Sequence, residues 1–184
     1  MSKKTLFGTP DNNDDSFDLF ENNISEEAVL IINGPNLNFL GIRETDKYGS
    51  VSYEELINKV RKEAGLGRRV EFFQSNLEGE IVNLIHELAR NEKKYLSRTT
   101  APDAPRPEII GLVINPGGLT HTSVSLRDAL SILLMPIVEV HITDITKREN
   151  YRKTNLISDL CVKSIIGKGV DGYIEGVDFL YEKN

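Results

Sequence analysis

The chain contains little cysteine, no tryptophan and no long apolar run. Its 184 residues include one cysteine, Cys161. A single cysteine excludes an intrachain disulfide and any metal site built from several cysteines. No apolar run reaches the roughly 20 residues of a membrane-spanning helix, and the first residues lack the apolar core of a signal peptide. We therefore expect a single-domain protein of the cytoplasm that does not bind a membrane.

The chain also has no excess of positively charged residues. The formal net charge is −6, and most of it comes from residues 1–27, which hold seven acidic residues against two lysines. The remainder is nearly neutral and shows no basic patch, so nucleic acid is not an expected partner. The acidic, Asn-rich composition predicts that residues 1–27 form a disordered N-terminal tail.

Apolar runs and helical periodicities alternate along the rest of the chain. Strands are predicted at Ala28–Asn33, Val70–Gln74, Ile109–Asn115 and Pro136–Thr143, with a short fifth at Ser164–Gly167. Helices are predicted at Ser52–Leu66, Glu78–Ala89 and Ser123–Leu134, and from about Val170 to Tyr181. Ser52 and Glu55 have the spacing of a capping box. This rhythm predicts an α/β fold: a flavodoxin-like three-layer sandwich with a five-stranded parallel sheet of order 2-1-3-4-5.

We assign residues 28–184 to one catalytic domain of this fold. Residues 91–108 interrupt the rhythm with three prolines and are too long for an ordinary loop. We interpret them as an exposed, proline-rich insertion without chemistry of its own.

Polar residues follow the predicted strands at their carboxyl ends, where open parallel sheets bind ligands. The first strand leads to Asn36, and a Gly-rich segment then brings Arg43 and Tyr48 close together. The third strand ends in Asn115 and continues to His121. These side chains are expected to share one rim, which lacks the nonpolar lining that a large cofactor needs.

Alternation along the fourth strand places Glu139, His141 and Thr143 on one face. One interpretation is an amphipathic edge strand with a wet face. The other is a functional pair, in which the carboxylate of Glu139 fixes the tautomer of His141 so that the imidazole can act as a general acid.

The segment around His121 also has two interpretations. It is either the Gly-rich entry to a helix capped by Thr122 or Ser123, or a helix N-terminus that holds a polar or anionic ligand. Neither this turn nor the Asn33–Asn36 turn contains a phosphate-binding motif. His121 and His141 match the spacing of no standard metal site, so no metal is expected.

Together these segments resemble the type II 3-dehydroquinate dehydratases. The resemblance is carried by four ordered blocks: NGPNLNFLGIRETDKYG from Asn33, QSNLEGEI from Gln74, INPGGLTHTSVSLRDAL from Ile114 and PIVEVHITDITKRENYR from Pro136. A further match, GVDGYIEGV, begins at Gly169. The resemblance implies a hydro-lyase that eliminates water from 3-dehydroquinate to give 3-dehydroshikimate, the third step of the shikimate pathway, through an enolate and without metal or cofactor.

The resemblance also implies a role for each matching position. Tyr48 would be the base, Arg43 the group that stabilises it and the transition state, and His141 the acid oriented by Glu139. Asn36 would hold a water at the enolate oxygen. Contacts to the substrate are implied for Asn115, His121, Asp128, Ile142, Thr143 and Arg152, with Asp128 reaching a neighbouring subunit's site. Arg148 would help to close a lid, and the implied assembly is a homododecamer, a tetramer of trimers.

The electrostatic energy available from Arg43 is large enough to activate Tyr48. Lowering the pKa of a tyrosine from about 10 to about 7 takes roughly 4 kcal/mol. One guanidinium about 4 Å away, at an effective dielectric constant of about 20, supplies roughly 4 kcal/mol. Arg43 could therefore activate Tyr48 once the segment between Gly41 and Gly49 closes over the site.

Four positions depart from the family pattern. Thr143 and Asp144 stand where serine and asparagine are usual, Thr45 replaces a proline, and Leu77 stands where many members have histidine. A second acid at Asp144 is expected to weaken the binding of an anionic substrate. The competing hypothesis is a non-catalytic flavodoxin-like module that binds a polyhydroxy acid.

Overall fold

A computed structural model describes residues 27–42, 49–96 and 108–183, without the side chains of residues 95 and 96. The predicted acidic tail lies outside the described residues except at Glu27, and so do Arg43, Tyr48 and most of the proline-rich insertion.

The five strands form one parallel sheet in the order β2-β1-β3-β4-β5, which confirms the predicted topology. They are β1 (Ala28–Asn33), β2 (Arg69–Gln74), β3 (Ile109–Asn115), β4 (Ile137–His141) and β5 (Lys163–Ile166). Every residue of β1 is buried, as expected for a central strand covered on both faces.

In the part of the chain that the structure describes, four α-helices cover the two faces of the sheet. They are α1 (Tyr53–Ala64), α2 (Glu78–Leu96), α3 (Val124–Leu130) and α4 (Asp171–Lys183). Alternate strand residues divide between two apolar cores. Val29 and Ile31 pack in the core that contains α1 and α4, whereas Leu30 and Ile32 pack in the core that contains α2 and α3. The result is the predicted three-layer sandwich.

The predicted capping box is present at the start of α1. The backbone N–H of Glu55 donates to Ser52 Oγ at 3.2 Å, and the N–H of Ser52 donates to Glu55 Oε2 at 2.7 Å. This reciprocal pair satisfies two N–H groups that the first turn of a helix leaves without partners.

Helix α2 extends beyond its predicted end at Ala89 and continues to Leu96, so the first residues of the predicted insertion are helical. The reason lies in tertiary contacts. Glu92 is buried, and its carboxylate accepts hydrogen bonds from the N–H groups of Leu134 and Met135, at 3.0 and 2.7 Å. This carboxylate ties α2 to the connection that precedes β4.

The helix predicted at Ser123–Leu134 is shorter than expected. A 3-10 helix spans Gly117–His121, and α3 then ends at Leu130. Of the two possible caps it is Ser123 that acts, because its Oγ accepts from the N–H of Leu126 at 2.8 Å.

The interpretation of β4 as an edge strand is wrong. It lies between β3 and β5, and all five of its residues are buried. The face that carries Glu139 and His141 is therefore a polar cluster inside the protein.

Two glycine-containing turns bring the ends of the strands together. A Cβ atom on Gly34 would lie 2.3 Å from the carbonyl oxygen of Pro116, so only glycine allows the turns after β1 and β3 to pack this closely. The N–H of Gly34 also donates to the carbonyl of Asn115 at 2.8 Å.

The glycines at 167, 169 and 172 have the spacing G-x-G-x-x-G. The first two lie between β5 and α4, and the third lies in the first turn of α4. The first two have a structural role. The N–H groups of Gly167 and Gly169 donate to the carbonyls of His141 and Ile142, at 2.9 and 3.0 Å, and thereby hold the end of β4. Within the described ranges, no helix has both the length and the apolar character needed to cross a bilayer.

Candidate active site

A pocket of about 110 Å³ opens at the carboxyl ends of β1, β3 and β4, the edge of the sheet that the sequence pointed to. Seven of its residues were predicted as site residues: Asn36, Asn115, His121, His141, Ile142, Thr143 and Arg152. The predicted lid residue Arg148 also lines it. The remaining lining residues are Pro35, Leu37, Leu40, Gly117, Gly118 and Ile145.

His141 lines this pocket and is paired with Glu139, which is not a lining residue. His141 Nε2 and Glu139 Oε1 are 2.6 Å apart, and both side chains are almost completely buried. Because an ionised carboxylate only accepts hydrogen bonds, Nε2 carries a proton and Nδ1 is the ring nitrogen left for a ligand.

The carboxylate of Glu139 accepts two further hydrogen bonds. Asn155 Nδ2 donates to Oε1 at 2.7 Å, and Ser164 Oγ donates to Oε2 at 2.8 Å. Burial alone would raise the pKa of Glu139. The hydrogen bonds from His141, Asn155 and Ser164 outweigh burial and lower that pKa below its ordinary value, so the carboxylate stays ionised beside the imidazole.

His121 faces the pocket from the 3-10 helix as a neutral imidazole. Its Nδ1 lies 2.6 Å from the carbonyl oxygen of Thr154 and is therefore the protonated nitrogen. Burial lowers the pKa of His121, and the nearby cationic Arg152 lowers it further, against the opposing effect of the Thr154 carbonyl. Its Nε2 is thus a hydrogen-bond acceptor, suited to a hydroxyl.

Two arginines form the cationic side of the pocket. Both contact the carboxylate of Glu149, with Nε to Oε2 distances of 3.3 Å for Arg148 and 3.0 Å for Arg152. Arg148 is largely buried, with 14% of its side chain exposed. An anionic ligand would therefore meet positive charge on this side.

Asn115 is fixed by a buried hydrogen-bond network. Its Nδ2 donates to the hydroxyl of Tyr173 at 2.7 Å, and that hydroxyl donates to Asn33 Oδ1 at 2.6 Å. The N–H of Gly117 donates to Asn115 Oδ1 at 3.2 Å. Tyr173 is completely buried, and burial raises the pKa of its hydroxyl, which is a neutral donor at any ordinary pH.

Asn36 occupies the left-handed backbone region, with φ of 69°, and is the one non-glycine residue with positive φ among those described. Its N–H donates to Asn76 Oδ1 at 2.8 Å, which connects the turns after β1 and β2. Asn residues tolerate this conformation better than most residue types. Asn36 is one of the residues that line the pocket.

The structure changes the interpretation of Asp144. Its Oδ1 accepts from the N–H and the hydroxyl of Thr146, at 3.1 and 2.6 Å, and Oδ2 lies 2.9 Å from Lys147 Nζ. The hydroxyl of Thr146 and then Lys147 lower the pKa of Asp144 to about 2, against a small effect of burial. Asp144 therefore caps the next 3-10 helix with a neutralised charge and is not one of the pocket-lining residues.

Four predicted site residues are absent from the lining of this pocket. Glu139 is one of them and contacts the pocket-lining His141. Asp128 lies exposed on α3 and is absent from the pocket lining. Arg43 and Tyr48 lie outside the described residues. Among the described residues, no group of three or more histidine, cysteine, aspartate or glutamate side chains is placed to hold a metal ion.

Sequence reasoning missed two kinds of residue. The apolar lining residues Leu37, Leu40 and Ile145 follow strand ends by a few positions, a signal that was available. Asn155 and Ser164, which contact Glu139, belong to no quoted motif and became visible only in three dimensions.

Comparison with known proteins identifies the family. Residues 27–181 match the profile of the family Dehydroquinase class II. The chain is 44% identical over 149 residues to the 3-dehydroquinate dehydratase of Caldicellulosiruptor bescii, covering 80% of this chain and 92% of the relative. It is 41% identical over 152 residues to the catabolic 3-dehydroquinase of Podospora anserina, covering 82% and 91%.

Solved structures agree. The type II dehydroquinase from Butyrivibrio crossotus superposes with a TM-score of 0.72 at 38% identity and covers 84% of this chain and 97% of that chain. The enzyme from Propionibacterium acnes gives a TM-score of 0.74 at 29% identity, covering 86% and 99%. This chain belongs to the class II dehydroquinase family, as the sequence blocks indicated.

Proposed function

We propose that this protein is a hydro-lyase that removes water from 3-dehydroquinate by anti elimination to give 3-dehydroshikimate. Family membership and the names of its relatives support the reaction. The observation that carries the proposal is the buried Glu139–His141 pair, whose His141 lines a pocket together with Arg148 and Arg152.

His141 is proposed as the acid that protonates the departing hydroxyl. Its Nε2 is committed to Glu139 at 2.6 Å, which leaves Nδ1 for the substrate. The ionised carboxylate stabilises the imidazolium before the proton is given up and fixes the plane of the ring. Glu139 therefore orients the acid without itself needing to change protonation state.

Tyr48 is proposed as the base that removes the C2 proton, with Arg43 stabilising its phenolate and the transition state. The described residues on either side of this segment support its placement over the site. Leu40 lines the pocket, and Gly41, with φ of 77°, packs so closely against Ser52 that a Cβ atom would lie 2.9 Å from its backbone. Gly49 also has positive φ, at 80°.

The remaining site residues are proposed to bind the substrate. Asn36 would hold a water at the enolate oxygen. Hydroxyl groups would bind Asn115, His121 and Arg152, and the carboxylate would bind the N–H of Ile142 and the hydroxyl of Thr143. We propose that Arg148 closes with the lid, and that the exposed Asp128 serves a neighbouring subunit's site.

We further propose a homododecamer, four trimers together, located in the cytoplasm. A light-scattering mass twelve times that of the 20.7 kDa chain is expected. A monomeric mass in an active preparation would contradict the proposed role of Asp128.

The reaction is tested by following the ultraviolet absorbance of the conjugated enone after 3-dehydroquinate is added. Wild-type protein should turn over, and Tyr48→Phe should not, while still binding substrate in a calorimetric titration. Tyr151→Phe is the matched control, because Tyr151 is 65% exposed and loses only a surface hydroxyl. Turnover by Tyr48→Phe would remove Tyr48 as the base.

The same experiment separates the enzyme from a non-catalytic binding module, which the family membership does not favour. A binding module would bind 3-dehydroquinate without producing the enone. The proposed mechanism needs no metal, so EDTA should leave the rate unchanged. Inhibition by EDTA that added metal reverses would contradict it.

A further inference from the structure

Glu139 is held by two side chains from segments outside β4. Asn155 follows the short 3-10 helix Asn150–Arg152 and donates to Oε1, whereas Ser164 lies on β5 and donates to Oε2. Together with His141 they give the completely buried carboxylate three donors.

Both donors are fixed by the backbone. Ser164 is the direct neighbour of Glu139 in the parallel pairing of β4 and β5, so the two side chains project from the same face of the sheet. Asn155 Oδ1 accepts from the N–H groups of Ile157 and Ser158, at 3.0 and 3.1 Å. This orientation of the amide leaves only its NH₂ group to face Glu139.

We propose that Asn155 and Ser164 are positioning residues. They set how high the pH can rise before the Glu139–His141 pair loses the proton that it donates in the reaction. The inference rests on the proposed function of this site. Neither residue touches the pocket. Each acts on the reaction through the carboxylate of Glu139.

The direction of the effect follows from charge. When the pair loses its proton, a net negative charge remains on the buried carboxylate. The donors stabilise that anion more than the protonated pair, in which the imidazolium already neutralises the carboxylate. They therefore favour release of the proton, and removing either donor should make the pair hold its proton to a higher pH.

Among the described residues, the other charged groups that face the pair from neighbouring elements do not titrate in the range of interest. Arg152 remains cationic and His121 is neutral above its lowered pKa. Burial and the charge of Glu139 raise the pKa of the Cys161 thiol to about 12. The proposed base Tyr48 acts only when deprotonated and so controls the acidic limb of the pH dependence of kcat, whereas a change in the alkaline limb reports the pair.

The test is the pH dependence of kcat in Ser164→Ala. Ser164 is exposed on an edge strand, so the loss of its hydroxyl should not prevent folding. The alkaline limb should shift upward by about one pH unit, the size expected for one lost charge-assisted hydrogen bond. Ser164→Thr, which keeps the hydroxyl, should restore the wild-type profile, and Ser158→Ala is a control from the segment containing Asn155.

An NMR titration of the His141 ring protons measures the same change in the pH at which the pair loses its proton, and it does not require the enzyme to turn over substrate. Its signals are assigned by their loss in His141→Asn. If wild-type protein is inactive, the proposed function fails while this titration still tests the inference. An active enzyme in which Ser164→Ala leaves both the alkaline limb and the His141 titration unmoved would overturn the inference.

A second variant tests Asn155 separately. Asn155→Asp keeps the oxygen that accepts from Ile157 and Ser158 but replaces the donor with a second carboxylate beside Glu139. Two carboxylates at this distance favour a shared proton, so the upward shift should exceed that of Ser164→Ala. A downward shift, or none, would remove Asn155 from the proposal.

Discussion

Replacing Glu139 by glutamine tests the acid half of the site with little change in shape. Oε1 of Glu139 accepts from both His141 and Asn155, so the carbonyl oxygen of the glutamine should occupy that position. Its NH₂ group would then face Ser164 Oγ, now 2.8 Å from Oε2, and the hydroxyl can rotate to accept. The substitution thus removes a negative charge and keeps the hydrogen bonds.

The magnitude follows from the separation of the charges. At an effective dielectric constant of about 20, two unit charges roughly 4 Å apart interact by about 4 kcal/mol, the equivalent of about three pKa units. Relaxation and water reduce such effects in proteins to about one to three units. The alkaline limb of kcat should therefore move downward by about one to three pH units in Glu139→Gln.

The assay is the enone absorbance between pH 6 and pH 10 at saturating substrate, with circular dichroism as the check on folding. The direction is opposite to that expected for Ser164→Ala, which strengthens the effective charge of the carboxylate instead of removing it. An alkaline limb that stays where it is in a folded Glu139→Gln protein would refute the argument that this carboxylate holds the proton on His141.

Three further predictions concern the frame of the site. Tyr173→Phe should lower the free energy of unfolding by about 2 kcal/mol, because Asn33 and Asn115 each lose a buried hydrogen bond; a urea-unfolding midpoint equal to wild type would contradict this. Gly34→Ala should lower the free energy of unfolding by about 2 kcal/mol or more and impair turnover. The new Cβ atom would lie 2.3 Å from the carbonyl oxygen of Pro116, and backbone atoms cannot move aside as a flexible side chain can. Unchanged stability and rate would show that the two turns can separate. Asp144→Asn should be less stable than wild type at pH 6, and this difference in stability should vanish as the pH falls through about 2. The reason is that a lowered pKa stabilises the folded protein above the pKa of the unfolded state, and this stability is lost as the carboxyl is protonated in the folded protein. A difference that stays constant in urea titrations from pH 6 to pH 2 would contradict this prediction.

Most of the fold was predictable because it depends on local patterns. The continuous apolar run of β1 indicates a strand buried on both faces, and the Ser52–Glu55 spacing indicates where α1 begins. The ends of elements were less predictable where distant residues decide them. Helix α2 continues to Leu96 while Glu92 binds the backbone at Leu134 and Met135, a contact between residues far apart in sequence.

The candidate site divides in the same way. Strand alternation alone placed Glu139 and His141 on one face, and the carboxyl ends of parallel strands had to meet at one edge. Sequence could not show whether that face was wet or buried, because burial of β4 depends on its neighbours β3 and β5. The same limit applied to Asp144, whose acidity suggested repulsion of substrate until its contacts with Thr146 and Lys147 were known.

The sequence by itself determined the family, the order of the strands and the residues that carry the proposed chemistry, because these are set by residue type, period and spacing. Tertiary structure alone decided what surrounds those residues. The carboxylate of Glu139 stays charged in a buried position because His141, together with Asn155 and Ser164 from two other segments, donates to it. The charge state of a buried group depends on its neighbours in space, and one-dimensional spacing does not contain that information.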